Sequence, residues 1–415
     1  MKKGFSAKTY VGILLLGLAG TSIYLLPYLR WSYYDALLQA SGLNNTEFGI
    51  TLSVFGILAM VFYPIGGIAA DRFSVKILLT ISLVGSGILG LWYAAFPGYI
   101  PQIIIFGGWG ILSTLTFWSA MMKATRMLGT SDEQGRLFGL VEGSRGIIST
   151  AISFAALFAF TKMGESIGGL KGIIFVMAVL NIVTGILILL LLPQGQREDN
   201  RQEKKKATVS DIIMILKTPS IWLIALIIIC CYSVYLGSTY LTPYFTNVIG
   251  ATASFAAFLS IMRSYVLQFI CAPTGGILAD KMKSVTKVIV GCYTIIVAAL
   301  VVIIVLPTTK SAMIPLIIVL LILCAGIFAM RGIYFATLDE VNIPVHVTGT
   351  AVGIVSIIGF APDVFMSTIC GKLLDTFEGA AGYRAIFVLM LAFAATGSIA
   401  AVILMKKMTG KRAMK

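Results

Sequence analysis

Seven ionisable residues stand inside long apolar stretches: Arg30, Lys123, Glu142, Arg145, Arg263, Arg331 and Asp363. An arginine at the centre of a membrane helix costs about 2.5–3.5 kcal/mol on insertion scales, so such residues must face a cavity or a partner. Glu142 and Arg145 are three residues apart, on one helical face, and can pair with each other. Arg30, Arg263 and Arg331 have no carboxylate in their own apolar stretch. A guanidinium is a planar fork suited to gripping carboxylate, sulfonate or phosphate through two oxygens. Arg30 and Arg263, at different depths in opposite halves of the chain, are the candidate anion pair, with Arg331 as a third member. The alternative is that each arginine snorkels or packs against Asp363 or Glu142. Tyr28 and Tyr244 are candidates for the wall of the same site, and Asp363 or Glu142 for a proton carrier.

The elements that must position these groups are membrane helices. The chain has 415 residues, is 58% hydrophobic and 12% charged, and has a mean hydropathy of +0.97. A single water-soluble core cannot bury that much apolar surface, and apolar runs of bilayer-spanning length recur from end to end. The runs predict helix 1 at 10–34, helix 2 at 47–70, helix 3 at 77–95, helix 4 at 102–124, helix 5 at 137–160 and helix 6 at 171–193. Helix 7 is predicted at 221–245, helix 8 at 253–279, helix 9 at 286–306, helix 10 at 313–337, helix 11 at 347–371 and helix 12 at 383–405. The fold class is all-α membrane protein. Residues 1–193 form an N-terminal six-helix bundle, 194–220 a cytoplasmic linker and 221–415 a C-terminal six-helix bundle. Val209 to Leu216 within the linker is a candidate interfacial helix.

The net charge of +14 does not point to nucleic acid, because the basic residues collect on one side of the membrane on this layout. Lys2, Lys3 and Lys8 at one end, and Lys406, Lys407, Lys411, Arg412 and Lys415 at the other, put both termini in the cytoplasm. The basic, apolar N-terminus has no small-residue cleavage site and reads as helix 1. All six cysteines fall in apolar runs, which argues against a disulfide framework or a zinc site, and the single histidine, His346, lies in a loop. No Walker A sequence, nucleophile elbow or HExxH occurs. No enzyme activity and no cofactor are expected.

The halves repeat. Gly67-Ile68-Ala69-Ala70-Asp71-Arg72 recurs as Gly276-Ile277-Leu278-Ala279-Asp280-Lys281. Tyr24-Leu25-Leu26-Pro27-Tyr28 recurs as Tyr240-Leu241-Thr242-Pro243-Tyr244, and Gly135 and Gly139 match Gly349 and Gly353. The stretch Gly67-x-x-x-Asp71-Arg72-Phe73-Ser74-Val75-Lys76 resembles the signature of the major facilitator superfamily between helices 2 and 3. With the second copy and twelve spans, the resemblance covers the whole chain. Ser74 and Val75 depart from the glycine and basic residue usual there. The resemblance implies two pseudo-symmetric six-helix bundles, substrate near the midplane between them, and a cytoplasmic latch made by Gly67, Asp71, Arg72, Lys76, Asp280 and Lys281.

Tyr24 through Asp71 also resembles the organophosphate antiporter branch, which implies a phosphate clamp of one arginine on helix 1 and one on helix 7. Arg30 can stand for the first. Helix 7 has no basic residue, so the clamp needs Arg263 as its second charge. Helix 5 lacks the proline of many drug/proton antiporters. The leading expectation is a monomeric secondary transporter in the bacterial inner membrane, moving a small organic anion by alternating access, with a coupling proton or counter-anion. A proton-coupled drug or metabolite exporter is the second reading, and a non-transporting sensor on the same fold the third.

Overall fold

The computed structural model describes residues 5–129, 134–192, 209–341, 343 and 348–413. Lys2, Lys3, Lys415, His346 and residues 194–208 of the predicted linker lie outside them, as does the side chain of Asp71. Among the described residues the regular structure is helical, with twelve helices long and apolar enough to cross a membrane. Their surfaces keep large apolar side chains outward, as at Ile147, Phe158, Leu190, Val305 and Ile314. That arrangement is stable only in a lipid solvent. A helix satisfies its own backbone, which is what the hydrocarbon demands.

Two compact units divide the chain. The first takes residues 1–200 with Thr252–Ile261, and the second takes residues 201–251 with 262–415. In the first, Leu16, Ala19, Ile23, Leu79, Leu83, Phe117, Met121 and Val141 form one buried core. Side-chain donors reach backbone carbonyls on neighbouring helices, as in Asn181 Nδ2 to Ser22 at 3.0 Å and Trp109 Nε1 to Ser86 at 3.1 Å. In the second unit Tyr293 donates to Ile227 at 2.6 Å and Tyr240 to Ser367 at 3.0 Å. Lipid does not compete for such bonds, so they help to orient helices whose apolar faces alone would slide.

Helices 1, 7, 10 and 11 are not the continuous rods expected. Helix 1 is helical over Ala7–Leu25 and passes into a 3-10 turn at Leu29–Trp31, then a short helix Tyr34–Ser41. Pro27 has no N–H to extend the ladder, and Leu29 bonds back to Leu26 instead. Gly42, at φ 65°, closes that short helix, and Asn44 with Glu47 forms a capping box that starts helix 2 at Asn45. Helix 7 runs over Pro219–Ser238 and resumes at Leu241–Asn247, with Pro243 in a first turn where a missing N–H costs nothing. Helix 10 spans Met313–Arg331 and then tightens through Tyr334–Ala336 into Thr337–Glu340. Helix 11 breaks between Gly359 and Pro362 and continues as Pro362–Thr376. Two further irregularities are wide π turns, Leu112–Trp118 in helix 4 and Met262–Val266 in helix 8.

Candidate functional site

The irregular backbone in the second unit lies at the charged residues within the spans, Arg263, Arg331 and Asp363. Pro362 opens the second segment of helix 11, which puts Asp363 in its first turn. A carboxylate is favoured there by the helix dipole. The Tyr232 hydroxyl on helix 7 donates to that carboxylate, 2.9 and 3.0 Å from its two oxygens. Phe360 holds the Tyr232 ring edge-on at 5.0 Å. Arg331, the last residue of its segment of helix 10, lies with its guanidinium carbon 4.0 Å from the centroid of the Tyr235 ring and 5.7 Å from that of Tyr232. Cation–π contact of this kind holds the charge without neutralising it. Arg331 Nη1 is buried and finds no hydrogen-bond partner.

Arg263 sits in the π turn of helix 8 and is 2% exposed. Its Nη1 donates to the Ser238 hydroxyl at 2.9 Å, and its Nη2 is buried with no partner. No carboxylate among the described residues forms an ion pair with Arg263 or Arg331. Tyr232, Tyr235 and Ser238 follow one another at intervals of three along helix 7, one face of one helix. That face presents two arginines and one aspartate, delivered by helices 8, 10 and 11. A buried guanidinium with an unused donor can accept an anion, because leaving it uncompensated in low dielectric is costly.

Arg30, in the first unit, is committed differently. It is 3% exposed, donates from Nη1 to the Phe48 carbonyl at 2.6 Å and the Thr51 hydroxyl at 3.3 Å, and lies 3.6 Å from the centroid of the Phe48 ring. It ties the end of helix 1 to the start of helix 2. The repeat mates Tyr28 and Tyr244 also differ. Tyr28 stays partly exposed and stacks on Trp31 at 4.1 Å. Tyr244 is closed over by Tyr383 and Phe387, at 5.4 and 5.1 Å. Glu142 and Arg145 form a 2.6 Å ion pair in the first unit, with side chains 55% and 21% exposed. Asp363 belongs to the other unit.

At the repeated motif the close helix approach falls one residue before the motif glycines Gly67 and Gly276. A Cβ on Gly66 would stand 2.2 Å from the Thr114 carbonyl oxygen of helix 4, whereas nothing lies within 4 Å of one on Gly67. The second copy behaves alike: Gly275 meets the Ala329 carbonyl at 2.2 Å and Gly276 meets nothing. Successive helical residues point about 100° apart, so only one of two adjacent glycines can face the neighbour. Arg72, Asp280 and Lys281 are exposed and Lys76 is partly so. Two groups hold these ends: Lys123, already among the charges within apolar stretches, and Glu340, which the sequence did not single out. Lys123 donates to the Ala70 carbonyl at 2.6 Å, at the carbonyl end of helix 2. Glu340 accepts from the Thr286 N–H at 2.8 Å and from the Ser284 and Thr286 hydroxyls at 2.7 and 2.6 Å, at the amide end of helix 9. Each charge has the sign that its helix end favours.

The comparisons agree with this architecture. The chain is 32% identical to the inner membrane protein YihN of Escherichia coli (strain K12), over 96% of either chain. It is 29% identical to the inner membrane protein YqcE of the same organism, over 93% of this chain and 92% of that one. Among solved structures, a bacterial homologue of the human lysosomal transporter Spinster, inward-facing and unoccupied, superposes with a TM-score of 0.76 at 14% identity. It covers 97% of this chain and 99% of its own. The nucleoside transporter NupG superposes with a TM-score of 0.70 at 14% identity, over 96% and 98%. A sequence profile of the Major Facilitator Superfamily matches residues 9–365, and the chain, with its twelve membrane-spanning helices, belongs to that superfamily.

Proposed function

We propose that this transporter is a secondary active carrier of a small organic anion, held in the second unit by Arg263 with Arg331 beside it. The observation that carries the reading is Arg263 itself: buried, bonded on one side to Ser238, and without hydrogen-bond partner or ion pair on the other. Arg30 ranks behind these two as a substrate ligand, because the Phe48 carbonyl, the Thr51 hydroxyl and the face of the Phe48 ring together hold its guanidinium against helix 2. Alternating access between an N-terminal bundle, residues 1–193, and a C-terminal bundle, residues 221–415, would carry the anion across. The helix 2–3 motif, with Asp71 and Arg72, would act as the latch, and the Glu142–Arg145 pair would brace helix 5 or relay charge.

The test is thermal stabilisation of the purified protein by a panel of carboxylates, sulfonates and phosphate esters, with lipophilic cations as the contrast. A ligand at 100 times its dissociation constant adds about 2.7 kcal/mol, a clear shift in melting temperature. Stabilisation by anions is the expected result. A response to lipophilic cations alone would favour the exporter reading, for which Asp363, a carboxylate within a span, is the natural cation or proton site.

The two E. coli relatives bear the name of inner membrane proteins, and we place this chain in the same membrane with both termini cytoplasmic. Basic residues near the first and last spans, such as Lys8, Lys406 and Lys407, favour that side. A reporter fused after Lys415 is expected to read as cytoplasmic. A periplasmic signal would overturn the orientation.

A further inference from the structure

We propose that the short helix ahead of helix 7, Val209–Lys217, is a surface anchor of the second unit whose partner is the phospholipid interface. The proposal stands independently of the anion-carrier reading.

Isolated helices below about 12–15 residues are marginal in water, so this one needs neighbours to keep its shape. It packs against helix 7 and against Thr348–Gly359, the first segment of helix 11, all within the second unit. Ile215 is its fully buried side chain. A helix end leaves its last carbonyls without partners, and here the start of helix 7 takes them. The Thr218 N–H donates to the Ile215 carbonyl at 3.0 Å and the Thr218 hydroxyl to that of Met214 at 2.9 Å. The Trp222 indole N–H donates to the Leu216 carbonyl at 2.8 Å. Thr218 alone separates the short helix from Pro219, where the span opens, so the helix is fixed at the end of that span.

Its other side chains fall in two further sectors. Successive residues turn by about 100°, so Ile213 and Leu216 lie about 60° apart on one side and Met214 and Lys217 about 60° apart on another, with Ile215 about 130° from the middle of each. Ile213 and Leu216 are 46% and 41% exposed, which is unfavourable in water and favourable at hydrocarbon. Their side runs into the lipid-facing side of helix 7. The indole that caps Leu216 is itself 48% exposed, and Leu226, four residues on, continues the stripe. An indole with an apolar body and a satisfied N–H suits the membrane–water boundary. Lys217, exposed and four residues after Ile213, has a stem long enough to keep its ammonium at the level of the phosphates. The helix thus offers one side to protein, one to lipid and one to water, as an amphipathic helix lying in the interface requires. Two side chains are too narrow a face for a protein partner, since stable interfaces bury about 800 Å² on each side. Through its contact with helix 11 the anchor ties the membrane surface to the helix that breaks after Gly359.

The experiment places a nitroxide on the full-length protein through Ile213→Cys, Met214→Cys, Leu216→Cys or Lys217→Cys, one at a time, in phosphatidylcholine nanodiscs. Cys271, the half-buried native thiol, is changed to serine in all four, and the signal of that parent is subtracted. Spin relaxation is measured with oxygen, which concentrates in hydrocarbon, and with a nickel chelate, which stays in water. The ratio of oxygen to nickel access is expected to be several-fold higher at 213 and 216 than at 214 and 217. Nickel access at 213 and 216 equal to that at 214 and 217 would mean that the helix stands in water, and would overturn the anchor. Low access to both reagents at 213 and 216 would mean that protein covers this side, a second copy or another part of the chain, and would overturn it too. Should a label unseat the helix, Leu216→Trp gives a second reading. Phosphatidylcholine brominated near its headgroup should quench the added tryptophan, and no added quenching relative to wild type would overturn the proposal.

Discussion

Arg263→Gln is expected to weaken anion binding by about 2–5 kcal/mol, the range for removing one partner of a desolvated charge pair. The protein itself should fold. Ser238, the residue that Arg263 touches, also donates to the Tyr235 carbonyl at 2.7 Å, so losing the arginine does not orphan its hydroxyl. Removing an unpaired buried charge relieves a desolvation cost, which works in favour of the folded state. The two effects separate binding from folding: affinity falls while the melting temperature of the unliganded protein holds or rises. Arg263→Lys should recover only part of the affinity, because an ammonium lacks the planar fork. The measurement is titration calorimetry with whichever anion stabilises the wild type. Unchanged affinity in a folded Arg263→Gln protein would remove the anion grip, and the exporter reading centred on Asp363 would take its place.

Gly66→Ala should destabilise the first unit by about 1–3 kcal/mol, the usual cost of overpacking a close contact. The added carbon would stand 2.2 Å from the Thr114 carbonyl oxygen and 3.2 Å from that of Leu115. Backbone carbonyls cannot rotate out of the way, so helices 2 and 4 must part. Gly67→Ala meets nothing within 4 Å. It should be neutral or slightly stabilising, since alanine is the better helix former by about 1 kcal/mol. The second unit offers the same pair of tests, with Gly275 beside the Ala329 carbonyl and Gly276 in open space. Melting temperatures of the four alanine variants decide the matter. Harm from Gly67→Ala and tolerance of Gly66→Ala would mean that the motif glycine contacts its partner in another conformation.

The twelve spans were legible because bilayer thickness imposes a length and hydrocarbon imposes a composition, and both are written in single-residue hydropathy. Duplication was legible at Gly67 and Gly276 and at Pro27 and Pro243, where unlike halves keep the same short words. The charges within the spans were legible too, since Arg263, Arg331 and Asp363 stand out in apolar surroundings. Their partners were not. Asp363 meets Tyr232 across 131 positions of sequence, and nothing in the local pattern joins helix 11 to helix 7. The breaks at Pro27 and Pro362 had a visible cause, but membrane helices often carry proline without breaking, because neighbouring groups can satisfy the freed backbone. The π turn that delivers Arg263 has no residue signature here, and the choice between Gly66 and Gly67 turns on a rotation of about 100° that two adjacent glycines leave open.

Hydropathy separates membrane from water, and so the sequence by itself determined how many spans there are and the region each one occupies, though helix 1 gives way at Leu25 and helix 12 runs on to Ala413. It is blind to direction inside the membrane, where the lipid-facing and protein-facing sides of a helix are equally apolar. Which faces meet, where a backbone gives way, and which cation is left with a free donor were therefore decided only by tertiary packing.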